Sequence, residues 1–169
     1  MVTDVVRDLG HLTLGSRLKR LGERLQTQAQ VLIDAAGVEL PSSHFPVLAA
    51  LDRLGPLGVG ELAQAIGVSQ PGVTRMLENL QSRGLIASQR QSADRRVRPI
   101  VLTRAGRQLV TRSKQVIWPR IEAAVADACA GGSGELLTQL SALEDALASA
   151  SLQVRAARSS RRGRGHAAA

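Results

Sequence analysis

Apolar residues recur along most of the chain at intervals of three and four, the pattern that predicts amphipathic α-helices. The predicted helices cover residues 9–36, a segment from Ser42 or Ser43 to about 54, 61–66, a segment that starts after Ser69, 104–128 and 135–153. Alternating patterns bounded by polar residues predict strands over 85–91 and 97–102. The expected fold class is mainly α, with one small β-hairpin.

The two short helices near the middle form a helix-turn-helix pattern. Leu62 and Ile66 lie one turn apart on the first helix, and Gly67 ends it because glycine readily adopts positive φ. Ser69 is the expected N-cap of the second helix, with Pro71 in its first turn. The buried stripe of the second helix is Val73, Met76, Leu77 and Leu80. In such a motif the second helix enters the DNA major groove by its N-terminal end.

The face opposite that stripe is polar. Gln pairs with adenine, Arg with guanine or phosphate, and the Thr hydroxyl with base edges or backbone. The candidate major-groove residues are Ser69, Gln70, Thr74 and Arg75. Most polar helix faces are merely solvated, but here the turn, the caps and the stripe agree with one another and favour DNA binding.

The predicted hairpin has a basic tip that suits the negative potential of a minor groove. Its candidate DNA contacts are Arg90, Arg95, Arg96 and Arg98. Asp94 is expected to hold a neighbouring arginine in place. Charged tips are also common on solvent-exposed hairpins, and the adjoining helix pair is what favours a DNA contact. Pro99 lacks an N–H, so its strand must be an edge there or the ribbon must be short.

These residues resemble the MarR family of bacterial winged helix-turn-helix regulators. The matching positions are Asp94 and Arg96 in the wing, the run Leu102, Thr103 and Gly106, and the join Leu80, Gly84, Leu85 and Ile86. The resemblance extends over roughly residues 5–154. It implies a winged helix-turn-helix DNA-binding domain with N- and C-terminal dimerisation helices.

The terminal helices carry more apolar surface than a small winged domain can cover. The first has a leucine seam, Leu14, Leu18, Leu21, Leu25, Gln28 and Leu32, beside a stripe of small residues, Gly15, Gly22, Ala29 and Ala36. A homodimer is the expected arrangement, as the resemblance also implies, and a self-contained helical bundle is the alternative. Four segments follow: an N-terminal dimerisation helix (1–40), the winged domain (41–104), C-terminal dimerisation helices (105–154) and a basic tail (155–169).

Composition supports a helical, reducing-compartment protein. Hydrophobic residues make up 44% of the 169 positions, with Phe45 and Trp118 the only members of the Phe, Tyr and Trp class. Cys129 is the single cysteine, so there is no disulfide framework. The N-terminus has no long apolar run, so we expect neither a signal peptide nor a membrane span. The expected location is cytoplasmic and nucleoid-associated.

Positive charge is concentrated in two segments. Residues 41–104 contain eight basic and four acidic side chains, and residues 155–169 contain five basic and no acidic ones. Residues 1–40 have no net charge, and residues 105–154 have a net charge of −1. This distribution is typical of a protein that binds a polyanion. The tail is expected to be disordered, and either phosphate contact or solubility explains its charge.

The leading hypothesis is a dimeric, sequence-specific regulator that binds double-stranded DNA at a palindromic operator. The resemblance implies a repressor released by a small anionic or phenolic ligand. Weak candidates for that ligand site are Arg17, Arg24, His44 and Arg107. The alternatives for these residues are surface solubility for the arginines and a capping role for His44.

Other function classes have less support. A redox sensor would use Cys129, but no cation or helix N-terminus lies nearby in the sequence, which favours an inert packing cysteine. An enzyme is not expected, because no nucleophile–base arrangement, phosphate loop or metal-ligand spacing is present. No cofactor and no metal are expected. A sequence-indifferent nucleic-acid-binding protein remains an alternative, and salt-dependent competition with bulk DNA would distinguish it.

Overall fold

The computed structural model describes residues 2–89, 99–131 and 135–157. Its helices are α1 (Val5–Asp8), α2 (Leu14–Ala35), α3 (Phe45–Leu54), α4 (Val59–Ile66), α5 (Gln70–Ser82), α6 (Arg104–Arg112), α7 (Trp118–Cys129) and α8 (Leu136–Ser149). Its strands are β1 (Ile86–Ser88) and β2 (Ile100–Leu102). The predicted fold class, mainly α with a small β-wing, is confirmed. The chain divides into two compact units, Met1–Ala123 and Ala124–Ala169. Within the described ranges, no helix has the length and apolarity that crossing a membrane requires.

The long N-terminal helix begins later than the sequence pattern predicts. The α-helical part starts at Leu14, after a 3-10 turn over Gly10–Thr13. Gly10 has a φ of 56°, which interrupts the α-helical path upstream. The short helix α1 is capped by the Asp4 carboxylate, which also accepts a hydrogen bond from Arg20 of α2 at 2.9 Å. This bond holds the pKa of Asp4 below its usual value.

The segment between α2 and α3, residues 36–42, is here called the connector. Gly37 has a φ of 68° and ends α2, as predicted. The side chain of Gln30 then holds the connector from α2: its amide donates to the Leu40 carbonyl at 3.2 Å and accepts from the Ser42 N–H at 2.7 Å. The connector is therefore fixed to the helix that precedes it.

The start of α3 differs from the prediction. Ser42–His44 forms a 3-10 turn, so α3 begins at Phe45 and neither serine caps it through a side-chain hydrogen bond. Pro46 lies in the first turn, where its missing N–H has no partner to lose. The expected cap at Ser42 or Ser43 is therefore wrong, because the 3-10 turn takes its place.

The core of the first unit lies where α3, α4, α5 and the sheet meet the end of α2 and α6. Its fully buried large side chains are aliphatic: Ile33, Leu48, Leu62, Leu80, Ile117, Val47, Val73 and Val110. The stripe predicted on α5 is confirmed, with Val73, Leu77 and Leu80 buried and Met76 half-buried against the core. The helix-turn-helix pair is thus held by the same apolar residues that its sequence pattern indicates.

The described part of the sheet is short. β1 and β2 are antiparallel, with Ile86 opposite Leu102 and Ser88 opposite Ile100. Ile100 also exchanges two backbone hydrogen bonds with Leu57, at 2.8 and 3.2 Å. β2 is therefore not an edge at Ile100, and Pro99 is accommodated because it precedes the strand and supplies only its carbonyl, to Gln89 N–H at 2.8 Å.

The helix predicted over 104–128 is interrupted close to Pro119, the proline at which the sequence predicts a kink. Residues Ser113–Ile117 form a π-helical segment between α6 and α7. Pro119 follows two residues later and has no N–H to donate to a carbonyl of the preceding turn. An irregular turn is expected just before such a proline. Ser113 is buried and donates to the Leu109 carbonyl at 2.8 Å, while Val116 is 46% exposed.

The second unit includes the end of α7 and all of α8. The last helix was predicted over 135–153, but α8 ends at Ser149 because Ala150 adopts an extended conformation. Arg155 donates to the Ala146 and Ala150 carbonyls at that end. Leu140 and Leu143 are half-buried, while Leu147 is 44% exposed.

Candidate DNA-binding surface

The turn between α4 and α5 is set by its caps. At the start of α4, the Glu61 carboxylate accepts from the Gly58 N–H at 2.7 Å, which satisfies one free donor of the first turn. Gly67 ends α4 in the left-handed conformation, with a φ of 67°. Ser69 then caps α5 by accepting from the Gly72 N–H at 3.4 Å. The roles of Gly67 and Ser69 are those that the sequence predicts, and the bond between Glu61 and Gly58 is an additional cap.

The first turn of α5 is also packed closely against the corner of the motif. A Cβ at Gly72 would lie 2.8 Å from Cγ1 of Val68 and 3.3 Å from Oγ of Ser69. A larger residue at position 72 would therefore force the Val68 side chain to shift. The consequence is a defined direction for α5, whose N-terminal end carries the predicted DNA contacts.

The four predicted major-groove residues share one exposed surface. They are Ser69, Gln70, Thr74 and Arg75. The Thr74 hydroxyl donates to the Gln70 carbonyl at 2.9 Å and keeps its acceptor lone pairs free. The Gln70 amide nitrogen lies beside Gly60 of α4, 3.4 Å from the position of a Cβ there. No acidic side chain among the described residues forms an ion pair with Arg75. This end of α5 can therefore offer amide, hydroxyl and guanidinium groups to a ligand.

The predicted wing contacts fall outside the described residues. They are Arg90, Arg95, Arg96 and Arg98, with the supporting residue Asp94. What the structure describes is the base of the hairpin, where β1 leaves the end of α5 and β2 leads into α6.

That base is joined to α5 and α6 by the Leu-Thr-x-x-Gly run. The Thr103 hydroxyl donates to the Gly84 carbonyl at 2.6 Å and accepts from the Gly106 N–H at 3.1 Å. The Thr103 N–H donates to the Leu85 carbonyl at 3.0 Å. A Cβ at Gly106 would lie 2.1 Å from that same carbonyl oxygen, so the close approach requires glycine.

The four weak ligand candidates are distributed over three elements: α2, the 3-10 turn before α3, and α6. Arg17 and Arg24 lie on α2, and Arg24 is exposed. His44 is half-buried, and burial, followed by the charge of Arg83, lowers its pKa. Its Nδ1 lies 3.3 Å from the Ser43 hydroxyl, and it does not cap α3 by a side-chain bond. Arg107 lies on α6, where it donates to the Leu102 carbonyl at 2.7 Å.

Arg107 belongs to a shallow concavity of about 390 Å³ along one face of α6. Its lining is Arg104, Arg107, Gln108, Thr111, Arg112 and Gln115. Three guanidinium groups and two amides on one helix face can bind a carboxylate or phenolate. Arg104 precedes Arg107 by three residues, a helical spacing that indicates a shared face, whereas Arg112 follows Arg107 by five residues and its place in this concavity has no such signal in the sequence.

The structure adds to the sequence analysis at two other residues, Cys129 and Arg83. Cys129 is exposed in the single chain, whereas a packing cysteine would be buried. Arg83 was not considered, and it contacts both the end of α5 and the connector. In the described part of the chain, no group of three or more His, Cys, Asp or Glu side chains is arranged to hold a metal ion.

Known proteins that share this fold include transcriptional regulators. The MarR family model matches residues 37–97. The chain is 29% identical to the transcriptional repressor CouR, seen bound to a 23-mer DNA duplex, over 83% of this chain and 95% of that one, with a TM-score of 0.62. BpsR of Bordetella bronchiseptica, whose DNA binding is regulated by 6-hydroxynicotinic acid, is 26% identical over 80% and 93%, with a TM-score of 0.62.

A MarR family transcriptional regulator of Silicibacter pomeroyi is 26% identical over 79% of this chain and 87% of that one, with a TM-score of 0.59. These relatives are transcriptional regulators and not enzymes, and their shared fold contains the helix-turn-helix described above. Residues 37–97, which include α3, α4 and α5, thus match the MarR family model, and over about four fifths of its length the chain is similar to winged helix-turn-helix transcriptional regulators of that family.

Proposed function

We propose that the chain is a homodimeric repressor that binds a palindromic operator through α5 of each subunit and is released by a small anionic or phenolic ligand. The observation that carries the proposal is the exposed N-terminal end of α5, where Gln70, Thr74 and Arg75 lie together on a helix fixed by its caps. Such groups bind base edges and phosphates in a major groove. The wing arginines, Arg90, Arg95, Arg96 and Arg98, would add contacts in the minor groove, with Asp94 supporting them.

Pairing of two copies is supported by the exposed side of α2. Leu18, Leu21 and Leu25 are 38%, 47% and 44% exposed, although they form one seam along the helix. Nothing lies within 4 Å of a Cβ placed at Gly15 or Gly22, so these two positions of the small-residue stripe have no close neighbour in the described chain. A second copy packed against α2 would cover both features. Residues 1–40 and 105–154 would then form the dimer region and 41–104 the DNA-binding domain.

A repressor role is supported by likeness to CouR, a repressor with bound DNA. A ligand is supported by likeness to BpsR, whose DNA binding responds to 6-hydroxynicotinic acid. In this chain the arginines of the α6 concavity offer donors to an anion of that kind. A ligand that weakens DNA binding must itself bind the DNA complex more weakly, by the same factor. A protein with this role would associate with the nucleoid.

Selection of bound duplexes from random-sequence DNA tests the proposal. Two inverted half-sites about 10 base pairs apart are expected, one for each α5. Repeating the binding at several salt concentrations distinguishes the sequence-indifferent alternative, since binding by charge alone falls steeply with salt and favours no duplex. Recovery of no common sequence would contradict the proposal.

The ligand part is tested with 6-hydroxynicotinic acid as the probe. Release of the selected duplex, measured by fluorescence anisotropy, should require a higher ligand concentration in Arg104→Ala and Arg107→Ala than in the unchanged chain. Arg53→Ala, which changes an exposed arginine on α3, is the control and should respond normally. An unaltered response in both α6 variants would contradict a ligand site on that helix.

A further inference from the structure

We propose that Arg83 is a positioning residue for DNA recognition: it joins the C-terminal end of α5 to the connector and so sets the angle of α5 relative to α2. The inference rests on the proposed roles of α5 in DNA binding and of α2 in pairing. It goes beyond them because it names the contact through which the placement of one helix determines that of the other.

Arg83 contacts two distant segments with one guanidinium group. Its Nε donates to Oδ1 of Asn79 on α5 at 2.9 Å, and its Nη1 donates to the carbonyl of Glu39 in the connector. Asn79 lies four residues away in sequence and Glu39 lies 44 away. The planar fork of arginine presents both donors at once, whereas a lysine ammonium lacks that fixed geometry.

The connector that Arg83 contacts is itself held in place. Gln30 of α2 bonds to the Leu40 carbonyl and the Ser42 N–H, as described above. Arg112 of α6 donates to the Ala36 carbonyl at 2.5 Å. The Glu39 carbonyl is therefore bordered on both sides by backbone groups that α2 and α6 fix. A bond from Arg83 to this carbonyl links α5 to a segment that moves with α2.

The length of α5 makes its angle important. The helix has 13 residues, which corresponds to about 20 Å. A tilt of about 5° about its C-terminal end moves the N-terminal end by about 2 Å over that length. Hydrogen bonds to base edges tolerate a change of only a few tenths of an ångström in the donor–acceptor distance. In a pair of subunits, the same tilt changes the separation of the two recognition helices, and with it the preferred spacing of the half-sites.

A direct phosphate contact is the competing role for an exposed arginine such as Arg83. The two roles differ in what they change. A lost phosphate contact weakens binding to every duplex and lowers the salt dependence by about one counterion. A lost positioning contact weakens discrimination between spacings and leaves the salt dependence unchanged.

The experiment measures affinity for a series of duplexes that carry the selected half-sites at the preferred spacing and at one base pair more or less. It compares the unchanged chain with Arg83→Met. Methionine retains an unbranched side chain like the stem of arginine but has no hydrogen-bond donor. Arg53→Met is the matched control on the exposed side of α3. The expected result is a loss of about fivefold at the preferred spacing and a smaller loss at the altered spacings. The salt dependence and the Arg53→Met values should stay unchanged.

Two results would overturn the proposal: an unchanged ratio between spacings in Arg83→Met, or an equal loss at all spacings with a lower salt dependence. If Arg83→Met unfolds, Arg83→Lys keeps the charge without the fork, and an unchanged ratio in that variant also counts against the proposal. Absence of any preferred duplex for the unchanged chain would instead contradict the proposed function, so the two failures are distinguishable.

Discussion

Thr103 and Gly106 show how single residues fix the base of the wing. The Thr103 hydroxyl bonds to the Gly84 carbonyl and to the Gly106 N–H, so one side chain joins the end of α5 to the start of α6. Gly106 then lets α6 approach the Leu85 carbonyl more closely than any side chain would permit. The direction in which the hairpin leaves the domain therefore depends on two adjacent turns of backbone.

Replacing Gly106 by alanine should destabilise the fold. Its Cβ would lie 2.1 Å from the Leu85 carbonyl oxygen, a backbone atom that cannot move alone. We expect a loss of about 3 kcal/mol in the free energy of unfolding, at the upper end of overpacking effects. Gly60→Ala is the control, because its Cβ would make an ordinary contact at 3.4 Å with Gln70. Urea unfolding of both variants measures the difference, and equal stability would contradict the close approach.

His44 should make stability dependent on pH. Burial, and then the charge of Arg83, lowers the pKa of His44 in the folded chain below its unfolded value of about 6.5. As pH falls below about 6.5 the unfolded chain takes up a proton that the folded chain resists, so stability is lost in that direction. Above that pH both states are neutral and the effect is absent. In His44→Asn, the unfolding free energy should fall less between pH 7.5 and 5.5; a parallel fall would exclude this cause.

Among the elements, two helices are central to the proposed function. The helix α5 presents its polar face at the N-terminal end, while α2 leaves its leucine seam half exposed. In the proposed function these two features have different partners, DNA for the polar end of α5 and an apolar helix of a second copy for the seam of α2.

On α5, Arg75→Ala should relax base preference. If its guanidinium pairs with guanine, the loss of affinity for the selected duplex is about 1–3 kcal/mol, with little change for unrelated DNA. Arg53→Ala, an exposed arginine outside the motif, serves as the control. Anisotropy titrations against single-base variants of the duplex give the result, and unchanged affinity in Arg75→Ala would show that α5 does not bind base edges as assigned.

On α2, Leu21→Glu should shift the chain from dimer to monomer, because it places a charge in the middle of the exposed seam. Ser16→Glu adds the same charge on the exposed side of α2 roughly opposite the seam and should have no effect. Sedimentation equilibrium at micromolar concentration measures the mass of each. If Leu21→Glu retains the mass of the unchanged chain, the seam is not the contact between subunits.

For the whole molecule, the sequence predicts the helix-turn-helix well because its signals are local. Gly67, Ser69 and the stripe from Val73 to Leu80 each act within one or two turns. The prediction fails where tertiary contacts decide the structure: the 3-10 turn before α3 and the pairing of Ile100 with Leu57 leave no periodic signal in the sequence. Arg83 was missed for the same reason, since its partner Glu39 is 44 residues away.

Sequence-specific binding is the central claim, and one ratio tests it most directly. It is the ratio of dissociation constants for the selected duplex and for a shuffled duplex of the same composition, at one salt concentration. We predict a preference of about 10³-fold or more for the selected duplex, as expected of a protein that binds base edges. Equal affinity for the two duplexes would contradict the account and indicate a protein that binds DNA by charge alone.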